Sequence, residues 1–540
     1  MKEVWRVALL YLALTIALAY PLSIHPGSAV LSPTPDTNLF LWTLQWDVHA
    51  LTHQPLTIFD ANIYAPERNT LAYSENLLGS APFAAPILWL TGNAVLAMNL
   101  VVLLASVLCG VGTYLLARRL GVGPLGATLS GLVFAFSPPR FLRLDQVHLA
   151  TIQWVPFGLA SLHAYWDTGR TRDIRLAAGF FALQALTSGH GAVFLLVAMA
   201  VMIAWRLASG ASRLSLNWLK DLDVAGAFLL APAVLVMLPY REVQQDMGLR
   251  RTLEDWAVPW ACFLASATHV HAALLALVPS WHINDAVGPT LFPGIIPIVL
   301  GGVALAARSR AKYPYAILAL LGFLLAAGPP LGLWPLVYWL PGLNFIRAPS
   351  RFMLMAILGL AVLSGIGFDH VAARLAPRRR LWLAVAAGAL LVIECSAAPL
   401  TIEPYRPEPP AIDRWLASRP GSMVIAEVPV GDPHSYAGWE ARESTFMLHS
   451  TAHWQRTVHG YSGFRSQLHQ TLYERMATFP DERSLQSLAD VGVTEVVVHT
   501  DLYEPAEWIE VEARIARAGA WLSLEHEEGA GRVYALRGPR

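Results

Sequence analysis

Residues 94–121 read AVLAMNLVVLLASVLCGVGTYLLARRLG. The apolar part, residues 94–117, contains no charged side chain and is long enough to cross a bilayer as a helix, in which a single segment satisfies its own backbone hydrogen bonds. Arg118 and Arg119 follow directly, and basic residues accumulate at the cytoplasmic ends of membrane helices. This part of the chain therefore predicts a transmembrane helix that ends in the cytoplasm.

Similar apolar segments fill most of the chain up to Leu400. Together they predict about eleven spans, at 4–24, 94–117, 124–138, 148–166, 174–188, 189–207, 222–239, 291–307, 314–329, 352–374 and 381–398. The chain is 55% hydrophobic and only 14% charged, whereas soluble domains carry roughly a quarter charged residues. Because no small-residue cleavage site follows segment 4–24, we interpret it as a retained first helix. The predicted fold class is a polytopic α-helical membrane protein.

The basic residues predict the orientation. With the N-terminus in the cytoplasm, the inside loops hold most of the Lys and Arg residues of this region: Arg118, Arg119, Arg170, Arg172, Arg175, Arg206, Arg213, Lys220, Arg308, Arg310, Lys312, Arg374, Arg378, Arg379 and Arg380. An odd number of spans then puts the C-terminal part outside. We expect a multi-pass protein of a bacterial inner (plasma) membrane, with a periplasmic or extracellular C-terminal domain. The formal net charge is zero, which argues against nucleic acid as a partner.

Two domains are predicted, with a boundary near residue 400. Residues 1–400 form the membrane domain, with a long first outside loop at 25–93, and residues 401–540 have the composition of a soluble domain. Strands are expected at 423–429, 494–499, 521–524 and 532–536, with helical patterns between them. This alternation indicates a C-terminal extracytoplasmic α/β domain. Within it, the stretch Trp454–Phe464 is a candidate for carbohydrate contact or positioning, and packing against the membrane domain is the alternative.

The first outside loop holds the strongest candidates for chemistry. Asp36 lies just beyond the first span, where it is either the N-cap of an amphipathic helix or a general base at the lipid–water boundary. Asp47 follows after about three helical turns and could share a face with Asp36, so both are candidate catalytic carboxylates. Trp42, Tyr64 and Glu75 are candidate substrate-binding residues, because aromatic and carboxylate side chains together suit a sugar.

Some arginines lie in predicted outside loops, although basic residues usually accumulate in cytoplasmic loops. Arg347 and Arg351 lie four residues apart at the outer end of a span, and Arg140 and Arg143 form a second pair. The planar guanidinium matches phosphate oxygens, so both pairs are candidate phosphate ligands. The alternative is that these side chains reach the headgroups from helix ends.

Several histidines lie in positions that permit binding of a substrate or a metal ion. His148 and His190 are near outer ends of spans, where each could line a substrate cavity or cap a helix. His449 and His453 have a helical spacing that suits a metal, with His459 beyond them, but Ser450 and Thr451 weaken the helix and no H-E-x-x-H motif appears. In the predicted outside region 240–290, the spacing of His269, His271, His282 and Asp285 also permits a metal site, but no third ligand is obvious. A divalent metal therefore has no clear ligand set, and no metal-binding residue is assigned.

The membrane region, roughly residues 1–400, resembles the GT-C glycosyltransferases. The resemblance rests on the acidic residue after the first helix, the long first loop and the Pro-rich apolar stretch before the second helix. Further matching segments are Ala117–Gly121, His148–Pro156, Phe345–Phe352 and His459–Phe464. The last three look like a bacterial branch of that group.

The resemblance implies a membrane glycosyltransferase that moves a sugar from a polyprenyl-phosphate donor to an extracytoplasmic glycan, lipid or protein acceptor. The family's catalytic aspartate maps onto Asp36, and outside arginines would hold the donor phosphate. Relatives often have two adjacent acidic residues here, but Pro35 precedes Asp36, which leaves metal use open. The alternatives are a transporter or flippase for lipid-linked glycans and a non-catalytic assembly factor. The sequence lacks the internal repeats and midplane charges typical of transporters.

Overall fold

The computed structural model of the protein describes residues 2–210, 217–247, 258–277, 290–329, 332–340, 343, 346–431 and 436–538. These ranges leave out parts of the predicted outside region 240–290, including His282 and Asp285. They also leave out Phe345. The chain divides into two compact units. Unit 1 comprises 1–26, 99–237 and 248–402, and unit 2 comprises 27–98, 238–247 and 403–540. The first outside loop thus clusters with the C-terminal region, which differs from the sequence-based division at residue 400.

Helices occur in every segment predicted to span the membrane. Their bounds are Lys2–Leu18, Ala94–Arg119, Pro124–Phe136, Trp154–Thr168, Thr171–Thr187, Gly189–Ala208, Asn217–Met247, Ile295–Ala304, Lys312–Ala326, Met353–Ala372 and Pro377–Cys395. Short helices lie at Pro138–Phe141, Val147–Ala150, His269–Leu275 and Trp334–Val337. Among the described residues, four helices are long and apolar enough to cross a membrane: Ala94–Arg119, Gly189–Ala208, Lys220–Met247 and Pro349–Ala372. The count of about eleven spans stays a prediction.

Helix Met353–Ala372 forms the core of unit 1, and most of its side chains are buried. The helices packed around it are Pro124–Phe136, Ile295–Ala304 and Lys312–Ala326. Gly359, Gly365 and Gly367 permit this packing, because a Cβ at each would meet a backbone atom of a neighbouring helix at 2.8 Å or less. Small residues serve helix contacts in membranes in this way, since lipid gives no hydrophobic drive for helix association.

Two carboxylates of unit 1 satisfy helix N-termini. Asp369 accepts a hydrogen bond from the backbone N–H of Gly123, just before helix Pro124–Phe136. Glu394 accepts hydrogen bonds from the first two N–H groups of helix Ile295–Ala304. The first N–H groups of a helix have no partner within it, and the helix dipole favours a negative charge there. These two acidic residues therefore have structural partners.

Unit 2 is built on a mixed β-sheet. Its strands are β1 (Ala29–Val30), β2 (Glu403–Pro404), β3 (Val424–Val428), β4 (Arg456–Thr457), β5 (Glu495–His499), β6 (Leu522–Glu528) and β7 (Gly531–Leu536). β1 and β2 form a small antiparallel pair, and the others form one sheet in the order β4-β3-β5-β7-β6. β3 is parallel to β4 and β5, whereas β7 is antiparallel to β5 and β6. The strands expected near 423–429 and 494–499 correspond to β3 and β5.

Helices cover this sheet, and apolar side chains fill the space between. The helices are Pro35–His53, Ala81–Thr91, Ala411–Ser418, Tyr436–His449, Gln467–Met476, Glu482–Asp490 and Pro505–Arg517. The core includes Val496 and Val498 of the sheet with Tyr473, Met476 and Leu488 of the helices. A second apolar cluster lies around Val497, so apolar side chains pack on both faces of the sheet, as expected for an α/β domain.

The first outside loop extends the sheet at its β4 edge. The N–H of Ala65 donates to the carbonyl of Thr457, and the N–H of Thr457 donates to the carbonyl of Asn62. One step further, the N–H of Tyr64 donates to the carbonyl of His459. An edge strand has unpaired backbone groups that must find partners when they are buried. Residues 62–65 supply those partners.

We expect Gly367→Ala to destabilise unit 1, because the new methyl group would overlap the carbonyl oxygen of Leu300. Overpacking of this kind typically costs about 1–3 kcal/mol. Gly302→Ala is the matched control, since a Cβ at Gly302 meets nothing within 4 Å and Ala is the better helix former. Thermal unfolding of the detergent-purified variants should give a lower midpoint for Gly367→Ala only. Equal midpoints for both variants would contradict the close-packing account.

Candidate active site

Asp36 lies in the first turn of helix Pro35–His53. The side chain of Thr34 accepts a hydrogen bond from the N–H of Thr37 at 3.4 Å, and Pro35 occupies the first turn, so Thr34 is the N-cap. The interpretation of Asp36 as the N-cap is therefore wrong. Asp36 is half-buried, and the positive end of the helix dipole favours a carboxylate at this position.

Tyr461 is the hydrogen-bond partner of Asp36. Its hydroxyl donates to Asp36 Oδ1 at 2.8 Å, across 425 positions of the sequence and within unit 2. No other described residue hydrogen-bonds to this carboxylate. The contact joins the beginning of the first loop to the segment His459–Phe464.

His459, two residues before Tyr461, is fully buried and held on both sides of its ring. Its Nε2 accepts a hydrogen bond from the backbone N–H of Glu427 at 2.6 Å, so the ring proton lies on Nδ1. Nδ1–H then donates to Glu443 Oε2 at 2.6 Å. The ring orientation is fixed by these two contacts, and with it the start of the segment that carries Tyr461.

The histidines considered for a metal have other partners. His449 Nδ1 lies 4.0 Å from Asp413 Oδ2, and His453 Nδ1 accepts a hydrogen bond from the N–H of Gln455 at 3.0 Å. Burial and the neighbouring Glu427 raise the pKa of Asp413 to about 8. Within the described ranges, no group of three or more His, Cys, Asp or Glu side chains is arranged to hold a metal ion.

Asp47, the second candidate carboxylate, is fully buried. Neither of its carboxyl oxygens hydrogen-bonds to a described residue, and burial raises its pKa well above the usual range. A fully buried carboxyl group is out of reach of a substrate hydroxyl, which a general base must contact. The structure therefore argues against the catalytic role expected for Asp47.

The three candidate substrate-binding residues of the first loop differ in exposure. Trp42 and Tyr64 are buried in unit 2, at 1% and 0% exposure, and Trp42 Nε1 donates to Asn62 Oδ1 at 3.2 Å. Direct contact with a substrate is therefore not supported for these two aromatic residues. Glu75 is half-buried and is the one of the three that a substrate could reach.

The pair Arg140 and Arg143 lies in unit 1. Arg140 is 1% exposed, and its guanidinium donates to the carbonyl oxygens of Ala135 at 2.7 Å and Ala150 at 2.8 Å. Arg140 therefore ties a helix end to a neighbouring turn, which argues against the phosphate contact expected for it. Arg143 is half-buried, with the carboxylate of Asp145 nearby.

Unit 1 brings together three of the other candidates. Arg351 Nη1 donates to His190 Nε2 at 2.7 Å, and the rings of His190 and His148 have centroids 5.4 Å apart. Arg351 and Arg347 are half-buried; Arg351 lies within the 3₁₀ turn Pro349–Phe352, and Arg347 lies two residues before it. A guanidinium beside two imidazoles forms a cationic and polar cluster that could hold an anion. Whether Arg347 shares in it stays a prediction.

Comparison with solved structures identifies the fold. The arabinofuranosyltransferase AftD from Mycobacteria is similar over 99% of this chain and 40% of its own, with a TM-score of 0.63 and 16% identity. The archaeal oligosaccharyltransferase AglB from Archaeoglobus fulgidus, in complex with an inhibitory peptide and a dolichol-phosphate, is similar over 99% of this chain and 74% of its own, with a TM-score of 0.52 and 13% identity. This chain has the GT-C fold. No protein-family model and no curated protein matches the sequence.

The fold expected from the resemblance to GT-C proteins is thus confirmed. The chain spans about two fifths of the length of AftD, so it corresponds to only part of that larger GT-C protein.

Sequence reasoning missed the contacts that Tyr461 and Glu443 make, Tyr461 with Asp36 and Glu443 with His459. It singled out the segment His459–Phe464 without assigning a role to Tyr461, and it did not consider Glu443. Gly460 and Gly463, which lie within the segment on either side of Tyr461 and Ser462, indicate a turn, and this was the available signal for a projecting tyrosine. Glu443 lies in an ordinary helical pattern that gives no such signal.

We expect Asp47→Asn to retain activity and to gain stability relative to wild type as pH rises. In the wild type the folded-state pKa is raised, so the folded state keeps a proton that the unfolded state loses above its pKa of about 3.9. Stability therefore falls from that pH up to the folded-state pKa, and Asn does not titrate. Unfolding midpoints from about pH 4 to pH 8 should diverge in favour of the variant. A parallel pH dependence of both proteins would show that Asp47 is not buried as a neutral acid.

Proposed function

We propose that the protein is a membrane glycosyltransferase that moves a sugar from a polyprenyl-phosphate donor to an acceptor hydroxyl outside the cytoplasm, with Asp36 as the general base. The observation that carries this proposal is the state of Asp36. Its side chain is half-buried, lies in the first helical turn and is held through Oδ1 by Tyr461. Asp47, on the same helix, lacks these properties because it is buried.

The comparisons support the reaction class. AftD is an arabinofuranosyltransferase, and AglB is an oligosaccharyltransferase whose structure contains dolichol-phosphate. A polyprenyl phosphate suits a protein with apolar helices, since the lipid tail can remain in the bilayer. Both the donor and the acceptor of this chain are part of the proposal.

The proposed chemistry needs one base and one leaving group. Asp36 Oδ2 accepts the proton of the acceptor hydroxyl, and that oxygen forms a bond to the anomeric carbon of the sugar. The bond between the anomeric carbon and the phosphate oxygen breaks, and its electron pair leaves with the polyprenyl phosphate. A positioned base of this kind typically contributes about 10²–10⁴-fold to the rate.

The leaving phosphate would be stabilised by cationic donors. Arg351 is our first candidate, because its guanidinium already lies beside His190 and His148 in a polar cluster of unit 1. Arg347 and Arg143 remain candidates from their chemistry alone. Arg140 is left out, because backbone carbonyls occupy its guanidinium.

We expect Asp36→Asn to lower transfer by about 10²-fold or more, because Asn keeps the size of Asp but cannot take a proton at neutral pH. Asp47→Asn, on the same helix, is the matched control and should support near-normal transfer. The measurement is the envelope glycan and lipid profile of a deletion strain complemented with each variant at equal protein level.

A fully active Asp36→Asn variant would contradict the proposed base. Normal glycans with that variant would favour a non-catalytic assembly factor or a transporter. A loss shared equally by both Asn variants would instead indicate a general defect of helix Pro35–His53.

The orientation is proposed from the basic loops. We expect a membrane-impermeant maleimide to label Glu510→Cys in intact spheroplasts and Arg378→Cys only after lysis. Both positions are exposed, while the native residues Cys109, Cys262 and Cys395 are buried. Labelling of Glu510→Cys only after lysis would overturn the extracytoplasmic assignment of the C-terminal domain.

A further inference from the structure

We propose that Tyr461 is a positioning residue for Asp36, so that the C-terminal domain supplies part of the active site. The inference rests on the proposed glycosyltransferase function. It assigns to residues 403–540 a direct part in turnover, beyond packing or anchoring.

The hydrogen bond from Tyr461 orients the Asp36 carboxylate. A phenolic hydroxyl has a single proton, and here that proton is donated to Asp36 Oδ1 at 2.8 Å. The terminal torsion of an Asp side chain is broad and roughly two-fold, so an unheld carboxylate samples many orientations. With Oδ1 held, Oδ2 keeps a fixed direction towards an acceptor hydroxyl. Small errors in such a direction lower rates strongly.

The backbone beneath Tyr461 is fixed from several directions. The carbonyl of His459 accepts the N–H of Tyr64 at 3.1 Å, and its ring is held by Glu443 and Glu427. Gly460 lies so close to the Tyr64 ring that a Cβ would approach it at 2.6 Å. The N–H of Tyr461 itself faces Met447 Sδ at 3.4 Å. Rigid support of this kind is what a positioning residue needs.

A purely structural role is the competing account, because the same hydrogen bond ties two distant segments together. A second tyrosine offers the comparison. Tyr405 donates its hydroxyl to Asn38 Oδ1, two residues along the helix from Asp36 and also across a long stretch of sequence. It ties the same two parts of unit 2 without touching the carboxylate. Tyr405→Phe is therefore the matched control for Tyr461→Phe.

The experiment measures transfer by the purified full-length protein. The probe is the lipid-linked sugar fraction extracted from deletion-strain cells grown on radiolabelled glucose, titrated into membranes of the same strain that provide the acceptor. The readouts are the maximal rate, the donor amount at half-saturation and the unfolding midpoint. The variants are Tyr461→Phe, Tyr405→Phe, Asp36→Asn and the double variant Tyr461→Phe with Asp36→Asn.

We expect Tyr461→Phe to lower the maximal rate roughly 10- to 100-fold, the range for loss of a hydrogen bond to a charged group. The half-saturating donor amount should not change, since Tyr461 acts through Asp36. Tyr405→Phe should keep the wild-type rate, whatever its effect on the unfolding midpoint. In the Asp36→Asn background, Tyr461→Phe should change the residual rate by less than about 3-fold, because the two residues act as one unit.

Three results would overturn the proposal. The first is a wild-type rate for Tyr461→Phe. The second is a loss in Tyr461→Phe that multiplies fully with the loss in Asp36→Asn, and the third is an equal loss in Tyr405→Phe. If Asp36→Asn is inactive and Tyr461→Phe is fully active, this inference fails while the proposed function stands. If Asp36→Asn is fully active, the proposed base fails first.

Discussion

The backbone pairing of residues 62–65 with the β4 edge is the contact on which unit 2 depends. An open edge beside a buried core would leave N–H and C=O groups without partners, which is costly. The first loop supplies those partners, and the same pairing fixes the carbonyl of His459 and brings helix Pro35–His53 against helix Tyr436–His449. The Asp36–Tyr461 contact follows from this arrangement. The site is therefore a product of sheet geometry.

Features that depend on neighbouring residues could be predicted from the sequence. Apolar runs predicted the helices of unit 1, and β-branched runs predicted β3 and β5. The family resemblance predicted the GT-C fold correctly. In each case the signal lies within about one helix or strand of sequence.

Features that depend on distant residues could not be predicted. Asp36 and Asp47 are both aspartates of helix Pro35–His53. Tyr461 contacts Asp36, however, whereas the core of unit 2 surrounds Asp47. Arg140 and Arg351 both lie next to an end of an apolar span, yet one guanidinium meets backbone carbonyls and the other meets His190. Burial and pairing are properties of the folded chain, so residue type and spacing cannot distinguish these cases.

The long-range contacts of the first loop also set the order of assembly during synthesis. Asn62 and its partner Gln455 are 393 positions apart, which at ribosomal rates is a delay on the order of tens of seconds. During that delay the C-terminal part of unit 2, which helps to bury Trp42 and Trp46, has not yet been synthesised. Tryptophan side chains are favoured at the lipid–water interface. The helix can thus lie at the bilayer surface until the C-terminal domain is synthesised, and the domain must then replace the lipid contacts of the helix.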